Sequence, residues 1–124
     1  MIVEGIVAFC NLEQTEKFNG QDTGKYSIVI NMTEEAAETV AAEGVKLKEY
    51  KNQKQRSFKS KYPVEVLDVN DVQVSKHIPY GSTVRLLWQP GKPHPSAGVP
   101  AYLNKVKVLE YADNGHGMGD DEDF

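Results

Sequence analysis

The apolar residues of this chain fall mainly into short β-branched runs with a period of two, the signature of strands that bury one face. Ile2-Val3-Glu4-Gly5-Ile6-Val7-Ala8-Phe9 reads as a first strand, and Asn19-Gly20 and Thr23-Gly24 punctuate the loop after it. Residues 25–32 read as a second strand, with Tyr26, Ile28 and Ile30 on one face. Thr33 predicts a helix N-cap, with Glu34 and Glu35 in the first turn, where the helix dipole favours acids. That helix runs through Ala36, Ala37, Val40 and Ala41 to a stop at Gly44. Extended arms and a loop are expected over the Lys-rich stretch that follows. A strand then begins within 62–69, Asn70-Asp71 turns the chain, and Val72 and Val74 suggest a short strand. Residues 83–88 form another strand. A loop over 89–100 holds Pro90, Pro93, Pro95 and Pro100, and residues 102–111 close the pattern with clean alternation.

Five or more strands, one short helix and long irregular loops predict an all-β domain, a small barrel closed or partly open. Among such barrels the five-stranded oligonucleotide-binding type tolerates long loops and grips its ligand across one face. The helix, short and small-faced, suits one end of the barrel. At 124 residues the chain has length for one modest core. We place the folded domain at residues 1–112 and a flexible acidic tail at 113–124.

Charge divides along the same boundary. The tail holds five acids (Asp113, Asp120, Asp121, Glu122, Asp123) and no Lys or Arg, so the body has 13 acids against 14 bases. Within the body, residues 46–61 carry Lys46, Lys48, Lys51, Lys54, Arg56, Lys59 and Lys61, opposed only by Glu49. These cations interleave with Tyr50, Phe58 and Tyr62. Single strands need that mixture, because cations follow the phosphates while aromatic faces stack on unpaired bases. The competing reading is a solvated Lys-rich edge that discourages sheet-to-sheet pairing. Trp88 reads as core or as a further platform. Lys92 and His94, in the proline-rich loop, with Tyr102 beyond it, form either a second clamp or an ordinary loop. Lys105 and Lys107 alternate with Val106 and Val108 and belong to the solvent face of the final strand.

The tail ends Asp120-Asp121-Glu122-Asp123-Phe124 after a glycine-rich spacer, Asn114-Gly115-His116-Gly117-Met118-Gly119. Four adjacent carboxylates repel, and one Phe buries too little to offset the entropy of ordering. An acidic string ending in an aromatic and a carboxylate suits a partner with a basic rim, an apolar pocket and a carboxylate-binding nest.

Catalysis finds little support. His77, His94 and His116 are scattered, and with Cys10 as the single cysteine no zinc site of the usual spacing can be written. Residues 113–117 fail as a calcium loop, since glycines stand at the third and fifth ligand positions. We expect no enzyme activity, no cofactor and no metal. The first nine residues lack both a basic start and a long apolar run, so the expectation is no signal peptide, no membrane span and a reducing, cytoplasmic setting.

Three stretches resemble the single-stranded DNA-binding proteins of bacteriophage replication systems. They are Lys25-Tyr26-Ser27-Ile28-Val29-Ile30, Gly98 followed by Leu103-Asn104-Lys105-Val106-Lys107-Val108, and the tail 120–124. The resemblance implies an oligonucleotide-binding barrel that coats replication, recombination or repair intermediates. It implies a tail that recruits replication proteins such as a polymerase or a helicase/primase, and that competes with DNA for the groove. The proline that precedes the last Phe in many bacterial members is absent here, which favours the phage branch. On this reading Lys46, Lys48, Lys51, Lys54, Arg56, Lys59 and Lys61 contact phosphates, with Lys92 and Lys105 beyond them. Tyr50, Phe58, Tyr62, Trp88 and Tyr102 offer stacking surfaces, and Asp120, Asp121, Glu122, Asp123 and Phe124 form the partner handle. An RNA-binding barrel of the cold-shock kind and a protein-only adaptor are the alternatives, and self-association is left open.

Overall fold

Buried Ile28, Ile30 and Met32 alternate with half-buried Val29 and Asn31, and this two-residue period sets the two faces of the barrel wall. The computed structural model describes residues 1–15, 17–96 and 98–112. Its elements are β1 (Ile2–Asn11), β2 (Lys17–Phe18), β3 (Gln21–Asp22), β4 (Tyr26–Met32), α1 (Glu34–Ala41), β5 (Lys48–Tyr50), β6 (Gln53–Ser60), β7 (Glu65–Leu67), β8 (Thr83–Pro90) and β9 (Ala101–Glu110). Five of them close a barrel in the order β6-β4-β1-β8-β9. The seam is a parallel bridge from β6 back to β9 at Lys59 and Tyr102. Every other contact in that ring is antiparallel. A five-stranded ring with one parallel closure is the oligonucleotide-binding barrel expected from the sequence.

The core is one cluster of inward side chains from all five strands, including Val3, Val7, Ile28, Ile30, Phe58, Val84, Leu86, Trp88, Leu103 and Val106. Helix α1 joins β4 to β5 and packs Ala37 and Val40 against β1, β4 and β6. Thr33 caps it as expected, its Oγ1 accepting from the Ala36 N–H at 3.2 Å. Gly44, with φ of 88°, makes the left-handed turn that follows. Cys10 is partly buried, its Sγ donating to the Lys76 carbonyl at 3.5 Å, and burial pushes its thiol pKa up, which makes it a poor nucleophile.

One local expectation is extended and two are corrected. The extended arms of the Lys-rich stretch are the two strands of a β-hairpin, β5–β6, and the second of them, not named as a barrel strand from the sequence, is a wall of the barrel. The two-residue turn of the hairpin has φ of 51° at Lys51 and 65° at Asn52, the left-handed pair that matches strand twist. The expected strand over 62–69 shrinks to Glu65–Leu67, and the Val72–Val74 segment contributes only an isolated bridge, Leu67 to Gln73. Finally, β8 continues to Pro90, so the proline-rich loop is shorter than expected.

Candidate nucleic-acid interface

The strand register lays out the outer face of β1, β4 and β6 row by row, because directly paired residues share a face. Asn11, Ser27, Lys59 and Tyr102 form one row. Phe9, Val29 and Ser57 form the next, then Ile6, Asn31, Gln55 and Lys48. Gln55 Nε2 donates to Asn31 Oδ1 at 2.7 Å, which fixes two outward amides side by side. Beyond them Tyr50 pairs with Gln53 at the hairpin end, with Lys51 Nζ 5.3 Å from the centre of the Tyr50 ring. From Gln53 to Lys59 the track runs along seven residues of one strand, about 20 Å.

Phe9 is an exposed ring on this face that the alternation of the sequence did not reveal. Val7 and Phe9 flank a register shift against β4, so the alternation that buries Val3 and Val7 turns Phe9 outward, 57 % exposed. The run Ile6-Val7-Ala8-Phe9-Cys10 contains no polar residue to mark that reversal.

At the other end of the track two clefts meet at Tyr102. One, of about 210 Å³, is lined by Lys25, Arg56, Lys59, Lys61, Pro100 and the Tyr102 ring among others. The second, of about 280 Å³, is lined by Tyr62, Gln89, Asn104 and Tyr102, and again by Lys59 and Lys61. Gly91 backs the ring so closely that a Cβ there would lie 2.3 Å from Tyr102 Cε2. Ser60 shapes the adjoining turn: its Oγ donates to the Tyr62 carbonyl at 2.8 Å and accepts from the Tyr62 N–H at 3.0 Å. Tyr62 is thereby presented 75 % exposed.

Arg56 lies on the inner side of β6 at the edge of this cleft. Its Nη1 donates to the Lys46 carbonyl at 3.0 Å, and its Nε is buried with no hydrogen-bond partner. Desolvation by burial lowers its pKa from the usual guanidinium range. The stem of Lys46 runs past Gly98 of the proline-rich loop, where a Cβ would sit 3.5 Å from Lys46 Cε. Arg56 therefore ties β6 to the segment before β5, and the Lys46 stem carries that segment onto the proline-rich loop.

Ion pairing separates the two sides of the molecule. On β8, β9 and the segment after β7, Arg85 meets Glu4 at 2.7 Å, Lys105 meets Glu65 at 3.5 Å and Lys107 meets Asp71 at 2.8 Å. Lys107 also holds the Asp71 carboxyl below the usual carboxylate range. Among the described residues, Lys25, Lys46, Lys48, Arg56 and Lys61 meet no carboxylate, whereas Lys54 pairs with Glu49 at 3.7 Å. Of these, Lys48 lies on the track, and Lys25, Arg56 and Lys61 line its clefts.

The expected site residues therefore divide. Lys48, Tyr50, Lys51, Lys59, Lys61, Tyr62 and Tyr102 border the track or its clefts, and Arg56 joins them from the inner side. Lys46 and Lys92 are exposed beside the proline-rich loop, while Lys105 lies on the paired side with Glu65. Two expectations are corrected. Phe58 is fully buried and Trp88 is 2 % exposed, both inside the barrel, so neither ring can stack on a base while the barrel is closed. His77 lies 3.7 Å from Glu13, and the His94 ring accepts from the Ser96 N–H at 3.2 Å. The tail handle, Asp120, Asp121, Glu122, Asp123 and Phe124, lies outside the described residues. Among the described residues no helix is long and apolar enough to cross a membrane.

Comparison with protein-family models and with curated protein sequences gives no match. Comparison with solved structures does. The single-stranded DNA-binding protein from bacteriophage Enc34, in complex with single-stranded DNA, superposes with a TM-score of 0.69 at 13 % identity, over 89 % of this chain and 85 % of that one. Its C-terminal truncation gives 0.65 at 15 % identity, over 89 % and 84 %. The single-stranded DNA-binding protein gp2.5 of bacteriophage T7 gives 0.62 at 14 % identity, over 100 % of this chain and 96 % of that one. At such identities the likeness is one of fold.

Proposed function

We propose that this protein is a non-catalytic, sequence-tolerant binder of single-stranded DNA that coats phage replication and recombination intermediates in the cytoplasm of an infected cell. The observation that carries the reading is the coincidence, on one barrel face, of exposed rings (Phe9, Tyr50, Tyr62, Tyr102) with cations that have no acidic partner among the described residues. Exposed rings accept any base by stacking, and the neutral stretch of Ser57, Gln55 and Asn31 between them offers hydrogen bonds without a fixed code. The likeness in fold to a barrel solved in complex with single-stranded DNA supports the single-strand reading.

The tail completes the proposal. Its five acids oppose the seven bases of residues 46–61, and Phe124 is the handle for a polymerase, helicase/primase or similar protein. A tethered polyanion has a high local concentration, so it competes with DNA for the cationic track. Competition among a single strand, its duplex and the same sequence as RNA tests the reading. Preference for the DNA single strand is expected. Preference for RNA would favour the cold-shock alternative, and binding to none of them would leave a protein-only adaptor.

A further inference from the structure

The two clefts at Tyr102 differ in chemistry in a way that a uniform phosphate track does not require. One gathers Lys25, Arg56, Lys59 and Lys61 within about 210 Å³. The other, across the ring, shares Lys59 and Lys61 with the first, lacks Lys25 and Arg56, and adds the amides of Gln89 and Asn104 beside the rings of Tyr62 and Tyr102. Amides are partners for base edges, and clustered cations are partners for phosphate oxygens. Charge is also unevenly spread along β6. After Lys59 the outward positions are Ser57 and Gln55, both neutral, and the next outward cation is Lys48 on the neighbouring strand. Lys54, which lies on the other face, is held by Glu49. A run of phosphodiesters brings one charge per nucleotide at even spacing, and Lys25, Arg56 and Lys61 together in one cleft exceed what one diester supplies. A phosphomonoester brings up to two charges and three oxygens, with a second pKa of about 6. Arg56 is preorganised for such a group, because its bond to the Lys46 carbonyl fixes the guanidinium at the cleft wall.

From these observations we propose that the cleft pair is a seat for a terminal nucleotide. Lys25, Arg56 and Lys61, with Lys59 beside them, hold the phosphomonoester at a strand end. The base of that nucleotide lies across Tyr102, against Tyr62 and the Gln89 and Asn104 amides. The seat registers the protein on phosphorylated ends while the track along β6 binds the strand without regard to sequence. This inference rests on the single-strand reading above, and it adds to that reading a preference among strands of identical sequence.

The test compares one short oligothymidine with a 5′-phosphate, with a 3′-phosphate and with hydroxyl ends, titrated into the full chain at low salt. One phosphorylated form should bind about tenfold more tightly than the hydroxyl form, from a few partly exposed ion pairs. Which form gains identifies the end that the seat takes. That preference should shrink as pH falls below about 6, where the phosphate carries a single charge. A Lys25→Gln/Lys61→Gln variant changes exposed positions and should fold normally, and its preference should drop to near unity. Equal affinity of the three strands for the unaltered protein would overturn the seat while leaving single-strand binding intact. A preference that survives the double substitution would place the phosphate elsewhere and would also overturn it. Failure to bind any of the three would instead remove the single-strand reading itself.

Discussion

Phe58 and Trp88 meet edge to face inside the barrel, with ring centroids 5.4 Å apart and planes inclined by 71°. Phe58 comes from β6 and Trp88 from β8, strands that are not neighbours in the ring, so the contact spans the core. Edge-to-face pairs of this kind add to the stabilisation of the buried area itself. Phe58→Ala should therefore cost about 3–5 kcal/mol of stability. Denaturant melts would show the loss, and the folded fraction should bind single strands with unaltered affinity. A stable variant with weakened binding would mean that the ring reaches the ligand.

The opposite outcome is expected for the exposed rings. Replacing Phe9, Tyr62 or Tyr102 by Ala should weaken binding of single strands by about 1–3 kcal/mol each. The melting temperature should move little, since none of the three is a core residue. Fluorescence titration alongside thermal melts separates the two effects residue by residue.

Gly91 offers an indirect test of Tyr102. A Cβ at Gly91 would come within 2.3 Å of the ring and 2.7 Å of Pro100 Cγ, so the ring must move. Gly91→Ala should reduce affinity by much of the Tyr102→Ala effect while leaving the salt dependence unchanged. Unaltered affinity would show that the ring's position does not matter.

The contrast between Phe58 and Tyr62 shows how far the sequence could be read. Alternation revealed the barrel strands of 2–9, 25–32, 83–88 and 102–111, because each has one apolar face. Thr33 and Gly44 marked the helix for equally local reasons. The β6 segment was harder. Phe58 has Ser57 and Lys59 as neighbours, and a ring flanked by polar residues suggests exposure. In a strand, adjacent residues point to opposite faces, so those polar neighbours are the reason Phe58 points inward. Its pairing with Ile28 fixes that direction. The outward turn of Phe9 depends on a register shift that no polar residue marks. Lys25 joins the cleft only because β4, β6 and β9 converge there, a relation between segments distant in sequence.

Removing residues 113–124 should tighten single-strand binding, most at low salt where screening is least. Removing Phe124 alone should leave DNA affinity almost unchanged and abolish capture of the replication partner. The same titration and pull-down on full-length, tail-deleted and Phe124-deleted protein checks both. Unchanged affinity on tail deletion would remove the competition, and retained capture without Phe124 would remove the handle.

The central claim is that a cationic, aromatic track binds single strands, and a salt series tests it most directly. If about four to six cations meet phosphates, log affinity for a homopolymeric single strand should fall with log salt at a slope of about −3 to −4. Duplex of the same length should bind more weakly at every salt concentration. A slope near zero, or equal affinity for duplex and single strand, would contradict the account.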